Sequence, residues 1–293
     1  MTSLRQRMIE DMQVRNLSPG TQACYVQQVA LFARFFNQSP QVLGPEDIRT
    51  YQVYLTNQKK LAPASIIVAV AALRFLYKIT LHRDWTLPDI IPAPKKPQKL
   101  PIVLSPDEVL QFLSSVPSPL HRTILTTCYA AGLRVSEAVR LQCTDIDSRR
   151  MVIRVEQGKG QRDRYVMLSP KLLGVLRDWW RMEKPRPWLF PGDIPGRHIT
   201  RSAVERVCRE ARPRCRVGKP ITPHSMRHAF AVHLLERGTD VRTIQLLLGH
   251  RSLATTAQYL RVATSKVCST ASPFDLLPQA VGLEPKPAAP PPC

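Results

Sequence analysis

The sequence is short of acidic residues, of long apolar runs, of paired cysteines and of any histidine–carboxylate metal motif, and each shortage removes a class of function. Only 22 Asp and Glu stand against 42 Lys and Arg in 293 residues, a formal charge of +20. No carboxylate clusters of the kind a metal-dependent hydrolase needs are present. The longest apolar stretch, Ile66 to Leu73, is interrupted by Arg74. It falls far short of the ~20 residues that span a bilayer, so no membrane helix is expected. Met1 to Gln13 mixes Arg5, Arg7, Glu10 and Asp11 with apolar positions. That pattern lacks the uncharged core of a secretory signal, and the expected location is the cytoplasm, close to the nucleoid. Cys24, Cys128, Cys143, Cys208, Cys215, Cys268 and Cys293 are odd in number and dispersed, without a Cys-x-x-Cys pair. This argues against a disulfide framework and against structural zinc. His224 and His228 have a four-residue spacing that can hold zinc, but the glutamate of His-Glu-x-x-His is absent, so neither metal nor other cofactor is expected. There is no internal repeat.

What is present is a folded, strongly basic chain. Hydrophobic residues make up 44% of it, enough for sizeable cores, and the length suggests two domains. A pI near 10.2 points to a polyanionic partner, with double-stranded DNA fitting best. From Ile91 to Pro101, four prolines forbid a continuous helix and favour an extended connector. The expected division is a helical DNA-binding domain over 1–90, a basic linker over 91–103, a second domain over 104–268 and a tail over 269–293. Lys95, Lys96 and Lys99 in the linker suit either a solvated connector or one that crosses a phosphate backbone. The last ten residues are expected to be disordered.

Helix signals are frequent. Ser18-Pro19, Pro45-Glu46-Asp47 and Pro63-Ala64-Ser65 each look like a helix start. With Met1 to Val14 they predict a four-helix first domain. Ser105-Pro106-Asp107-Glu108 starts the next helix, and another should run from about 118 to 131, ended by Gly132. Met151–Val155 and Arg164–Leu168 flank a glycine-rich stretch and read as an antiparallel hairpin with Lys159 at its tip. Helices are then expected over about 169–183, 200–211, 223–237, 240–248 and 252–262. The fold class is mainly α with a small antiparallel sheet.

Tyr259 closes a string of basic residues: Arg134, Lys159, His224, Arg227 and His250. Cations and fixed donors gathered at a phenol are what attack on a phosphodiester needs, because negative charge spreads over the phosphoryl oxygens in the transition state. A phenol of pKa ~10 is only about one part in a thousand ionised at pH 7, a handicap of roughly 4 kcal/mol that adjacent cations or a base would reduce. Arginine stays charged and can grip two phosphate oxygens at once. Lysine at a hairpin tip suits proton delivery if its pKa is lowered. Each residue also has an ordinary reading: Arg134 paired with Glu137 one turn on, Lys159 as a turn lysine, His224 as a helix-start residue, His228 as structural, Tyr259 as a packing residue.

Ala131-Gly132-Leu133-Arg134-Val135-Ser136-Glu137, Gly158-Lys159-Gly160, His224-Ser225-Met226-Arg227-His228 and Leu248-Gly249-His250 with Tyr259 nine residues on together resemble the tyrosine recombinase (phage integrase) family, with small Xer-like or transposon-associated members most similar. The resemblance covers residues 1 to about 268. It implies a two-domain clamp on DNA. It implies Arg134 and Arg227 as phosphate clamps, His224 and His250 as donors or proton-transfer groups, and Lys159 as the acid for the leaving 5′ oxygen. Glu137 and His228 take supporting places and Tyr259 that of the nucleophile. It further implies a 3′-phosphotyrosine intermediate formed without metal or ATP, and a homo-oligomer with two protomers per site and four in the synapse. Ala131, Met226 and Ala229 depart from the residues frequent in the boxes. In many relatives a segment after the nucleophile docks on a neighbouring protomer; here that stretch holds Ser272 to Pro278, for which a short apolar docking peptide is the hypothesis. Arg162, Arg164 and Arg201, with Arg206, Arg209, Arg212, Arg214 and Arg216, are expected at the DNA-contact surface. Competing readings are a DNA-binding relative without catalysis, a metal-dependent nuclease built on the histidines, and a type IB topoisomerase-like strand transferase.

Overall fold

A computed structural model describes residues 2–83, 85, 92–94, 101–156 and 163–262. Contacts divide the chain into two units, residues 1–98 and 99–293.

Among the described residues, the first unit contains four α-helices: α1 (Ser3–Val14), α2 (Pro19–Phe36), α3 (Pro45–Val53) and α4 (Pro63–Phe75). Their starts follow the expected chemistry. Ser18 Oγ accepts from Thr21 N at 3.3 Å, with Pro19 in the first turn where its missing N–H costs nothing. Asp47 reaches back to Gly44 N at 2.8 Å. Each of α3 and α4 runs on into a π-helical turn, Tyr54–Gln58 and Leu76–Thr80. Leu4, Met8 and Met12 lie four residues apart and so share the buried face of α1. They meet a core in which the rings of Tyr51 and Tyr77 stand edge-on to Phe32, with centroids 5.1 and 6.5 Å away. Pro63–Thr80 is long and apolar enough to cross a membrane by length and composition. Here Ile66, Ala69, Val70, Ala72, Leu73, Leu76 and Tyr77 are instead buried in the unit's own core.

The second unit begins with α5 (Pro106–Ser114), α6 (Pro119–Ala130) and the single turn α7 (Val135–Ala138). Ser105 caps α5, and Glu108 returns a bond to Ser105 N at 2.8 Å. A three-stranded antiparallel sheet follows, in the order β1 (Ile146–Asp147), β2 (Val152–Val155), β3 (Arg164–Met167). The expected hairpin is β2–β3, with Ile153 opposite Val166. The two-residue β1 was not expected: it is too short to show any alternation and exists through its pairing with β2. Helices α8 (Pro170–Glu183), α9 (Arg201–Ala211), α10 (Pro223–Glu236) and α11 (Val241–Leu248) complete the body. The helix expected over 252–262 is instead two pieces, α12 (Leu253–Ala257) and a 3₁₀ turn, Gln258–Arg261. Helix α10 is buried over much of its surface and runs through the core: Met226, Ala229, Phe230, Ala231, Val232 and Leu235 are buried, with Ser225 and Arg227 among them. The fold is mainly helical with a small antiparallel sheet, as expected. The tail over 269–293 lies outside the described residues.

Candidate active site

Gly132 follows α6 with φ +63°, a left-handed turn that a side chain would strain. A Cβ there would also overlap the Phe230 ring. The turn brings Arg134 to the start of α7, where the Glu137 carboxylate accepts from Arg134 N at 2.9 Å and from Arg134 Nη1 at 2.7 Å. The pairing of Arg134 with Glu137 is therefore present.

Glu137 is the centre of a larger cluster. Arg164 on β3 donates to both its oxygens, Nη1 at 3.1 Å and Nη2 at 2.7 Å, and Arg227 Nη1 lies 3.7 Å from Oε2. The Glu137 side chain is 6% exposed. Burial alone would raise its pKa, but the bonds and charge of Arg164, then those of Arg134, hold it at about 2. Arg227 on α10 is fully buried. It donates to the carbonyls of Gly132 and Leu248, while its Nε has no hydrogen-bond partner among the described residues. Arg164 Nε donates to Leu247 O at 3.0 Å. Two guanidinium groups thus satisfy the last carbonyls of α11, where cations complement the helix dipole. Burial, then the charge of Arg134, lowers the pKa of Arg227; a guanidinium nonetheless stays charged at neutral pH.

The ends so fixed carry the histidines and the tyrosine. Gly249 closes α11 with φ +61°, and His250 follows, its carbonyl accepting from Gln245 Nε2 at 2.9 Å. His250 Nδ1 shares a 2.9 Å hydrogen bond with Thr256 Oγ1, which ties the turn to α12 and so to the 3₁₀ turn bearing Tyr259. The Tyr259 ring stacks on His250 at 6.4 Å, and its hydroxyl lies 2.9 Å from His228 Nδ1. His224, one turn before His228 on α10, packs against it with ring centroids 4.3 Å apart.

All these rings are uncharged at neutral pH. Burial first, then His224 and Arg227, lowers His228 to about 4. Burial first, then Arg227, Arg134 and the other two imidazoles, lowers His250 to about 3. His224 presents an exposed edge but is recessed among protein atoms, and desolvation, then Arg227, Arg134 and Arg201, lowers it too. Tyr259 is 2% exposed. Burial raises its pKa more than Arg227 and Arg134 lower it. Nearby cations thus act on the phenol in the expected direction, but burial outweighs them in the free protein.

Of the residues singled out in the sequence, Arg134, Glu137, His224, Arg227, His228, His250 and Tyr259 come together. Lys95, Lys96, Lys99, Lys159 and Arg162 lie outside the described residues. Arg201 lies in an open furrow with Arg134, His224, Arg209 and Arg212. It pairs with Glu205 at 2.7 Å and is 65% exposed. Arg164 is a correction: instead of facing outward, it is 12% exposed and engaged by Glu137 and Leu247. Its strand held the signal, because Arg164 and the buried Val166 are two residues apart and share a face. Thr256, buried and bonded to His250, was missed and has no signature in sequence.

Residues 103–266 match the phage integrase family, and residues 4–87 match the phage integrase N-terminal SAM-like domain. The chain belongs to the phage integrase family. Its similarity to other members extends over nearly its whole length. It is 67% identical over 99% of its length to a Sinorhizobium fredii chain with an integrase/recombinase designation, y4qK, covering 93% of that chain. It is 33% identical over 85% of its length to the tyrosine recombinase XerD of Lacticaseibacillus casei, covering 90% of it. Among solved structures, a lambda integrase dimer bound to a core site shares the fold at TM-score 0.72 and 19% identity, over 88% of this chain and 94% of that one. This integrase family member is an enzyme of the tyrosine recombinase type.

Proposed function

We propose that the chain is a site-specific DNA recombinase that cuts and rejoins strands through a 3′-phosphotyrosyl intermediate on Tyr259. The observation that supports this most is the placement of a buried phenol among three imidazoles beside three arginines that share one carboxylate. Such a site offers fixed positive charge for a phosphodiester and neutral groups for its protons. Arg134 and the unpartnered Nε–H of Arg227 are the donors for the phosphate oxygens. His224 and His250 donate or shuttle protons beside them. Lys159 protonates the departing 5′ oxygen. Arg201, with Lys95, Lys96, Lys99 and Arg162, contacts the DNA backbone. Attack conserves the energy of the phosphodiester bond in the tyrosyl ester, so rejoining needs neither ATP nor a cofactor. On this reading the partner is double-stranded DNA in the cytoplasm, bound by two protomers per site and four in the synapse. XerH, which shares the fold at 22% identity, has been captured on its difH substrate after cleavage.

The test is incubation with a nicked suicide substrate carrying the cognate site, in EDTA. The native chain should trap a covalent protein–DNA adduct, and Tyr259→Phe should lose it while retaining DNA affinity. No adduct on a verified site would leave a DNA-binding protein without catalysis; cleavage dependent on metal and free of adduct would mark a nuclease.

A further inference from the structure

We propose that His228 is the catalytic base of the cleavage step, the group that takes the phenolic proton from Tyr259. This rests on the reading of Tyr259 as nucleophile and gives a specific catalytic part to a residue that the family resemblance carries over only as supporting. Of the three imidazoles, His228 alone has a ring nitrogen at hydrogen-bonding distance from the phenol, Nδ1 to Oη at 2.9 Å. His250 stacks on the Tyr259 ring, and its Nδ1 is held by Thr256. His224 lies behind His228, ring against ring. His228 also follows Arg227 directly in α10, beside Met226, Ala229 and Phe230, which are all buried.

The charged and titratable groups around it set when it acts. From its own helix it faces His224 and Arg227; Tyr259 faces it from the 3₁₀ turn, with His250 behind that ring. Arg134, Glu137 and Arg164 complete the neighbourhood from α7 and β3. Burial, then His224 and Arg227, holds the ring neutral above about pH 4, and in its Nε2–H tautomer the Nδ1 lone pair faces the phenol under ordinary conditions. The same surroundings make an imidazolium costly in the free protein. A phosphodiester brought against Arg134 and Arg227 supplies the negative charge that offsets this cost, so proton transfer waits for a bound strand. The step balances within the site. The Oη–P bond forms as the Oη–H bond breaks and the proton passes to His228 Nδ1. The electron pair of the P–O5′ bond leaves with the 5′ oxygen, which takes a proton from the general acid, Lys159 on the reading above. In rejoining, the Nδ1 proton returns to Tyr259.

Single-turnover adduct formation by the full chain, measured from pH 5.5 to 9.5, tests this on two suicide substrates: one with a normal 5′ oxygen and one with a bridging 5′ sulfur, whose leaving thiolate needs no acid. His228→Ala should slow the reaction about 100-fold at pH 7 on both substrates. The defect should narrow as the pH approaches the phenol's own ionisation. A fluorinated tyrosine of lower pKa at position 259 should restore at least about 10-fold of the loss in His228→Ala. Lys159→Ala should recover on the sulfur substrate, where His228→Ala does not. His228→Gln keeps the volume and an acceptor oxygen but cannot hold the proton; it should show the same loss, and it decides the matter if the alanine variant fails to fold. A His228→Gln rate equal to the native rate overturns the proposal, as does a defect constant across pH and unmoved by the fluorinated tyrosine. A native chain that forms no adduct, or a Tyr259→Phe variant that still does, overturns the nucleophile reading itself.

Discussion

The two sides of the candidate active site are both drawn away from water and answer it oppositely. Around Glu137 sit Arg134, Arg164 and Arg227, side chains 20%, 12% and 1% exposed, whose charge survives because a guanidinium does not release its proton and a carboxylate lies between them. Around Tyr259 sit His224, His228 and His250, whose charge does not survive, because an imidazole can shed its proton when desolvated. The resting site is thus a fixed cationic wall beside a neutral wall of imidazoles. On the proposed function, phosphate charge would be met by the first and protons moved by the second. Arg227 and Arg134 contribute to both, standing in the cluster and depressing imidazoles beside it.

The strongest way to break the cationic wall is to remove its carboxylate. Glu137→Ala leaves three arginines close together and poorly compensated, and removing one partner of a buried ion pair typically costs about 3–5 kcal/mol. Urea unfolding should show a loss of that order, and a change below about 1 kcal/mol would mean that the arginines are held by the carbonyls of Gly132, Leu247 and Leu248 instead.

Much of this was legible beforehand, and what was not has a physical reason. Proline and hydroxyl caps act within one turn, so the starts at Pro19, Pro45, Pro63, Pro106 and Pro223 could be read from neighbouring residues. The second domain's chemistry was carried by the spacing of its boxes, and seven of those residues do converge. The inward turn of Arg164 depends on which strand face meets Glu137, a tertiary fact only hinted at by Val166. The contact between His228 and Tyr259 joins positions 31 residues apart. The helical repeat placed His228 beside His224 but gave no sign that a 3₁₀ turn would bring the phenol to it. The two-residue β1 and the break between α12 and that turn likewise arise from packing, with no local signal in the sequence.

Acid should separate the two walls by pH. His228 and His250 have folded-state pKa values of about 4 and about 3 against an ordinary 6.5. The unfolded chain therefore binds more protons below 6.5, and this part of the stability is complete above pH 6.5 and lost as the pH falls toward the folded values. Glu137, held at about 2 against an ordinary 4.5, follows the same sign in a lower window: its contribution is complete above 4.5 and lost on descending to about 2. Melting temperature against pH should fall first through the imidazoles and then through the carboxylate. His228→Gln should make the upper limb shallower, leaving the share of His250, and leave the lower one; an unchanged upper limb would show that His228 is not desolvated as its burial implies.

The smallest expected effect distinguishes arginines that hold the site from those that meet the backbone. Arg201, Arg209 and Arg212 line an open furrow beside Arg134 and His224. The pairing of Arg201 with Glu205 joins exposed side chains four residues apart on one helix, an arrangement that contributes little stability. If the furrow carries a DNA strand, replacing any one of the three by alanine should weaken binding alike for all sequences and reduce the log–log salt slope by about 0.9, with little change in unfolding. Arg164→Ala should do the reverse. Its guanidinium is committed to Glu137 and Leu247, so the salt slope should hold while stability falls. Titrations of DNA binding from low to moderate salt, alongside urea unfolding of the same variants, would measure both. Equal slopes for the Arg164 and Arg209 variants and the native chain would place the strand elsewhere than the furrow, whereas a reduced slope for Arg164→Ala would mean that the cationic wall itself reaches the backbone.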